Sequence, residues 1–154
     1  MKLLIRFLVF LVLNFTALGL GSIFTNKGVS SPWYSNINKA PWTPDGWVFG
    51  FAWTSIMICF ALYMAFLFLK VEKKKELLIL FGIQWILNIT WNPFFFYLQQ
   101  PITGLIIISL LTVLIGYFLF NYWSKLKFKS VFIFPYLLWL CIATSLNLYI
   151  VIYN

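Results

Sequence analysis

The side chains that usually move protons are nearly missing from this chain. It has no histidine, one aspartate (Asp45) and two glutamates (Glu72 and Glu76) that share a basic linker, so general acid and base hydrolysis has no residues to run on. The two cysteines, Cys59 and Cys141, each lie inside an apolar run; this suits buried, inert thiols and gives neither a disulfide framework nor a metal site. Without histidine, haem-iron chemistry would fall to Cys59, Cys141 or a tyrosine. What remains is aromatic and amide chemistry. Gln84, Asn88 and Asn92 recur at four-residue spacing with Trp91 beside them, so a helix sets three amides on one face. Trp139, Ala143 and Asn147 repeat that spacing near the C-terminus, and Trp53 follows Gly46 and Gly50. Turned toward one another, these faces would line a cavity for a flat, largely apolar ligand with a few polar groups. The same residues also suit packing alone, with Asn and Gln bonding between helices at about 0.6 kcal/mol per contact and Trp marking membrane interfaces. Residue types by themselves leave both readings open.

The elements that would position these faces are membrane spans. Of 154 residues 63% are apolar and 9% charged, against about 45–50% and about 25% in soluble domains. The apolar residues come in blocks, too few polar side chains remain to cover a water-facing surface, and the net charge of +8 sits between the blocks rather than on a face. A nucleic-acid partner is therefore not expected. Crossing about 30 Å of hydrocarbon takes about 20 residues. Trp47–Leu69, Leu77–Leu98, Ile102–Trp123 and Val131–Tyr153 meet this without a charge, and Leu3–Phe24 meets it with Arg6 near enough to its start to snorkel. Lys2 and Arg6 ahead of an apolar core also describe a secretory signal, but the stretch after Leu18 lacks an A-x-A cleavage site, which favours a retained helix. The expected fold is an all-α integral membrane protein, one domain over residues 1–154. Five transmembrane helices form its bundle, and a long loop between the first two covers a cavity.

Five spans place the N-terminus and the second and fourth loops on one side. That side carries Lys2, Arg6, Lys70, Lys73, Lys74, Lys75, Lys125, Lys127 and Lys129, and the other only Lys27 and Lys39. The bias predicts a multi-pass protein of the bacterial inner membrane, with its N-terminus inside and its C-terminus outside; both basic clusters read first as topological anchors. Gln99-Gln100-Pro101 is so short that the third and fourth spans must be antiparallel neighbours. The first loop, roughly Thr25–Asp45, is the long one. Pro32, Pro41 and Pro44 interleave there with Trp33, Tyr34 and Trp42, as in a semi-rigid lid at the interface. Its end, Thr43-Pro44-Asp45-Gly46-Trp47, reads as a helix start capped by Thr43 or Asp45. Gly46-x-x-x-Gly50 and Ala61-x-x-x-Ala65 are spacings that permit close helix contact, within the chain or in a dimer.

In order, these segments resemble the TspO/MBR family of translocator and tryptophan-rich sensory proteins. The likeness rests on Trp33-Tyr34 and Asn38-Lys39-Ala40-Pro41-Trp42-Thr43-Pro44, then Gly46-Trp47-Val48-Phe49-Gly50-Phe51-Ala52-Trp53-Thr54. It continues through Leu87-Asn88-Ile89-Thr90-Trp91-Asn92-Pro93-Phe94-Phe95-Phe96, Pro135-Tyr136-Leu137-Leu138-Trp139 and Ala143-Thr144-Ser145-Leu146-Asn147. The resemblance implies a five-helix bundle, a homodimer, whose cavity under the first loop binds porphyrins, other tetrapyrroles, sterol-like lipids and aromatic ligands. Carried over by motif, Tyr34, Trp42, Trp53, Asn88, Trp91, Trp139, Ala143 and Asn147 belong at or near the ligand. Two departures stand out. Asp45 replaces a second proline and adds an anion at the mouth, which Lys39 offsets; and the residues after Tyr149, Ile150-Val151-Ile152-Tyr153-Asn154, lack the basic residue of the animal sterol-recognition pattern.

The function implied is a membrane receptor or sensor for porphyrins, with no obligatory cofactor and no metal, and with protoporphyrin or a haem-type tetrapyrrole as ligand. One alternative is a catalyst that degrades porphyrin with light and oxygen, in which Trp53 and Trp139 would be the participating indoles. Another is a transporter of porphyrin or lipid. No ionisable residue lies in the middle of any span, which disfavours ion or proton coupling.

Overall fold

A computed structural model describes residues 1–154, helical almost throughout and without a strand. Its elements are α1 (Lys2–Val29), the short α2 (Pro32–Asn36), α3 (Gly46–Lys70), α4 (Lys74–Asn92), which runs on into a π-turn (Pro93–Tyr97), α5 (Pro101–Leu126), a 3-10 segment (Lys127–Ile133) and α6 (Phe134–Tyr153). Four continuous helical stretches are long and apolar enough to cross a bilayer, and the last, Pro101–Tyr153, doubles back. The reversal falls at Lys127, whose φ of 52° no α-helix tolerates. The result is five spans, from α1, α3, α4, α5 and α6.

The spans close into a ring in the order α1, α3, α6, α5, α4 and back to α1. In lipid there is little hydrophobic drive between helices, so packing and polar contacts hold the ring together. Phe60 of α3 is a packing hub, with Tyr63, Phe81, Phe118 and Tyr136 around it at ring-centre distances of 6.1, 6.2, 6.0 and 5.2 Å. Single hydrogen bonds stitch ring neighbours, Asn14 Nδ2 to the Met57 carbonyl (3.1 Å), Trp85 Nε1 to that of Leu13 (2.8 Å) and Thr112 with Thr144 (3.1 Å), and one crosses the ring from α3 to α5, the Tyr63 hydroxyl donating to the Phe118 carbonyl (2.7 Å). The outward faces are bare apolar surface, with Val113 71% and Phe120 78% exposed, as lipid contact requires.

The two small-residue spacings part company. Ala61 and Ala65 are fully buried, whereas nothing lies within 4 Å of a Cβ built on Gly46 or Gly50, so that pair brings no helix of this chain close. The first loop is also shorter than its sequence suggests. α1 continues past Phe24 to Val29, and Ser31-Pro32 opens α2, with the Ser31 hydroxyl accepting from the Tyr34 amide at 3.2 Å. Neither expected cap forms on α3: the Thr43 hydroxyl is committed to the Ala40 carbonyl (2.7 Å) in the turn before it, and the Asp45 side chain makes no cap bond.

Candidate ligand site beneath the lid

Pro93 shapes this end of the bundle. It has no amide to give the helix, and the ladder widens to a π-turn in which the Leu98 amide reaches the Pro93 carbonyl at 2.9 Å. The widened turn buries Phe95 and Phe96 beneath α2, with Trp33 on Phe95 (5.7 Å) and Tyr34 on Phe96 (5.6 Å). Trp91 stacks on Phe95 at 5.2 Å. Glycines make this approach possible: a Cβ on Gly28 of α1 would collide with Cβ of Phe96, and one on Gly104 of α5 would crowd Phe95 and Asn147.

The lid is tied to α6 at two points. Asn38 pairs with the C-terminal residue, its amide donating to Asn154 Oδ1 (2.8 Å) and its carbonyl accepting from Asn154 Nδ2 (3.2 Å), while its own Nδ2 donates to the Tyr153 carbonyl (3.1 Å). Trp42 Nε1 donates to the Ser145 hydroxyl (3.2 Å), and its ring meets Tyr149 edge-on at 5.5 Å. Between these points a cavity of about 40 Å³ remains. Tyr34, Lys39 and Thr43 of the lid, Phe49 of α3, Trp91 with Phe95 and Phe96, and Ala143, Leu146, Asn147 and Ile150 of α6 surround it. The Lys39 ammonium sits 4.3 Å above the Tyr34 ring, a cation–π contact at the mouth. Burial pushes the Tyr34 phenol above its ordinary value.

Of the eight residues singled out from the sequence, Tyr34, Trp91, Ala143 and Asn147 share this cavity. Asn147 uses both ends of its amide, accepting from Trp91 Nε1 at 3.2 Å and donating to the Pro101 carbonyl at 2.8 Å. The other four lie outside the lining. Trp42 is on the outer side of α6 and 54% exposed. Trp53 packs against Tyr136 (6.1 Å). Asn88 Nδ2 and Gln84 Nε2 both donate to the Tyr136 hydroxyl, at 2.9 and 2.8 Å, while the Thr25 hydroxyl donates to Asn92 Oδ1 at 2.6 Å. The amide face of α4 therefore ties helices together, and only Asn147 offers an amide to the cavity. Trp139 stands directly behind the wall, edge-on to Phe49 at 5.3 Å. It is 7% exposed and its indole N–H has no partner.

Sequence reasoning passed over Phe49, Phe95, Phe96, Leu146 and Ile150 as site residues. A signal for two of them was present: Pro93 in the middle of an apolar helical run marks a break in the hydrogen-bond ladder, and such breaks re-aim the side chains that follow.

The TspO/MBR family profile matches residues 8–153. A tryptophan-rich protein TspO of Chlorobaculum tepidum is 35% identical over 130 residues, 82% of each chain. A tryptophan-rich sensory protein of Cereibacter sphaeroides is 30% identical over 115 residues, 75% of this chain and 72% of its own. The human translocator protein is 29% identical over 132 residues, 82% and 77% of the respective chains.

Proposed function

The chain belongs to the TspO/MBR family, and from that premise we propose that it is a membrane receptor that binds porphyrins and related flat, hydrophobic ligands beneath its lid. The orphaned N–H of Trp139 carries this reading. A buried donor without an acceptor costs about 1–3 kcal/mol, and a ligand carbonyl or carboxylate that displaced Phe49 would relieve that cost. The surroundings suit the same chemistry: Trp91, Phe95, Phe96 and Tyr34 offer ring faces for stacking, and Ala143 leaves room one turn from Trp139. Lys39 at the mouth supplies a cation for a propionate, and Asp45, which does not line the cavity, is no direct obstacle.

The cavity as it stands is the closed form of the site. Ligand pockets run to roughly 300–1,000 Å³, so a tetrapyrrole enters only when the lid lifts from α6. The lysine bias supports an orientation with the lid outside and both basic clusters inside, in a bacterial inner membrane. The exposed Gly46 and Gly50, beside the exposed Trp47 and Phe51, offer α3 as a face for a second copy in a homodimer.

The test is a titration of the purified protein with protoporphyrin in the dark, following the fluorescence of its eight tryptophans. Saturable quenching that weakens in Trp139→Phe supports the receptor reading; quenching that never saturates removes it. Illuminating the saturated sample in oxygen then separates receptor from catalyst. Pigment loss faster than in Trp53→Phe and Trp139→Phe would make it a photochemical catalyst, and an unchanged absorption spectrum leaves it a receptor.

A further inference from the structure

At the opposite end of the bundle from the lid lies a larger cavity, of about 370 Å³, where the C-terminal ends of α3 and α5 meet the start of α1. Lys70, Lys125, Lys127 and Lys129 line it. No carboxylate does, and the chain's one ion pair, Lys73 with Glu76 at 3.0 Å, is made elsewhere. From this geometry we propose that the cavity is a binding site for the phosphate-bearing headgroup of an anionic membrane lipid.

Lysines near a helix C-terminus have an ordinary explanation, since they complement the negative end of the helix dipole. Magnitude limits that explanation here. Two C-termini present roughly one unit of negative charge together, at about half a unit each, against four ammonium groups drawn from two segments far apart in sequence. Topological anchoring needs lysines in a loop but does not need them gathered around a void. Lys129 is fixed with its ammonium 4.2 Å above the Phe66 ring.

The apolar part of the lining decides between a lipid and a soluble anion. Leu3, Phe66, Leu69 and Leu126 form the remaining wall, and Leu69, 44% exposed, continues it onto the outer face of α3. A soluble phosphate has no use for that wall. A lipid does, because its phosphate meets the ammonium groups while its acyl chain leaves along Leu69 into the bilayer.

The experiment uses the full chain in detergent with short-chain phosphatidylglycerol, short-chain phosphatidylcholine and inorganic pyrophosphate as probes, read by native mass spectrometry and by the shift in thermal unfolding. Two charge-matched variants are compared, Lys125→Gln/Lys127→Gln/Lys129→Gln in the cavity and Lys73→Gln/Lys74→Gln/Lys75→Gln outside it. All six lysines are exposed, so both variants keep the fold, which a monodisperse elution profile checks. The expected result is saturable binding of phosphatidylglycerol over phosphatidylcholine, weakened roughly a hundredfold in the cavity variant and little changed in the other. Equal weakening in both variants would reduce the effect to diffuse charge attraction and overturn the proposal. So would pyrophosphate binding as tightly as the lipid, which would make the site one for a soluble anion, or equal binding of the two lipids.

Discussion

Trp139 and Asn147 lie two helical turns apart on α6 and make opposite predictions. Trp139 has a buried donor and no acceptor, so Trp139→Phe removes a polar group that costs free energy while keeping an aromatic ring. Without ligand, the variant should unfold at the same temperature as the parent or slightly higher, yet bind protoporphyrin several-fold more weakly, as the loss of one hydrogen bond dictates. Asn147→Ala strips partners from Trp91 Nε1 and the Pro101 carbonyl together; a loss of about 1–3 kcal/mol in stability follows, read by thermal unfolding in detergent. Tyr34 adds a pH dependence. Its phenol is held above the ordinary 10.0 by burial, so the folded lid favours the protonated form. That contribution is complete below pH 10 and declines as pH rises beyond it. Hydrogen exchange in the lid should therefore quicken from pH 10 upward in the parent more steeply than in Tyr34→Phe.

At the scale of elements, the π-turn after α4 depends on what its neighbours omit. Gly28 gives way to Phe96 at its Cβ, next to the backbone, where nothing can swing aside, whereas Gly21 faces the end of the Asn92 side chain, which can. Gly28→Ala should cost about 1–3 kcal/mol by overpacking, Gly21→Ala less, and Gly82→Ala should be neutral or stabilising, since its surroundings are open and alanine is the better helix former. A melting series in one detergent ranks the three. The same region shows what the sequence made legible. Span number and the inward turn of Gln84, Asn88 and Trp139 follow from hydrophobic blocks and four-residue spacing, because a helix in lipid must satisfy its backbone internally and hide its polar side chains. The partners of those amides were not legible. Whether Asn88 meets a ligand or the Tyr136 hydroxyl depends on where α6 sits across the ring, which no local spacing encodes. α2 hid for a different reason: five residues are too few to show a period, and only Ser31-Pro32 hinted at its start.

For the molecule as a whole, the proposed function depends on the lid. A cavity of about 40 Å³ holds a few water molecules at about 10–15 Å³ each, so any tetrapyrrole bound there selects an opened state and its apparent affinity is reduced by the fraction of molecules that are open. Besides the stacking of Trp33 and Tyr34 on Phe95 and Phe96, the contacts that set this fraction are few: the Asn38 and Asn154 bonds and the Trp42 contacts with Ser145 and Tyr149, all at the exposed edge of α6. Net hydrogen bonds contribute about 0.5–1.5 kcal/mol each, so Asn154→Ala, which removes both side-chain bonds to the Asn38 backbone, should enlarge the open fraction and speed porphyrin association, leaving the core melt unchanged. Locking the lid should do the reverse. With Cys59→Ala and Cys141→Ala as background, Asn38→Cys and Asn154→Cys joined by a short thiol crosslinker would hold the lid on α6. Stopped-flow quenching should then lose its fast phase and recover it when the crosslinker is cleaved. Binding that proceeds equally fast with the lid locked would mean that ligand enters sideways between the helices from the bilayer, and the lid would then be a wall of the site rather than its gate.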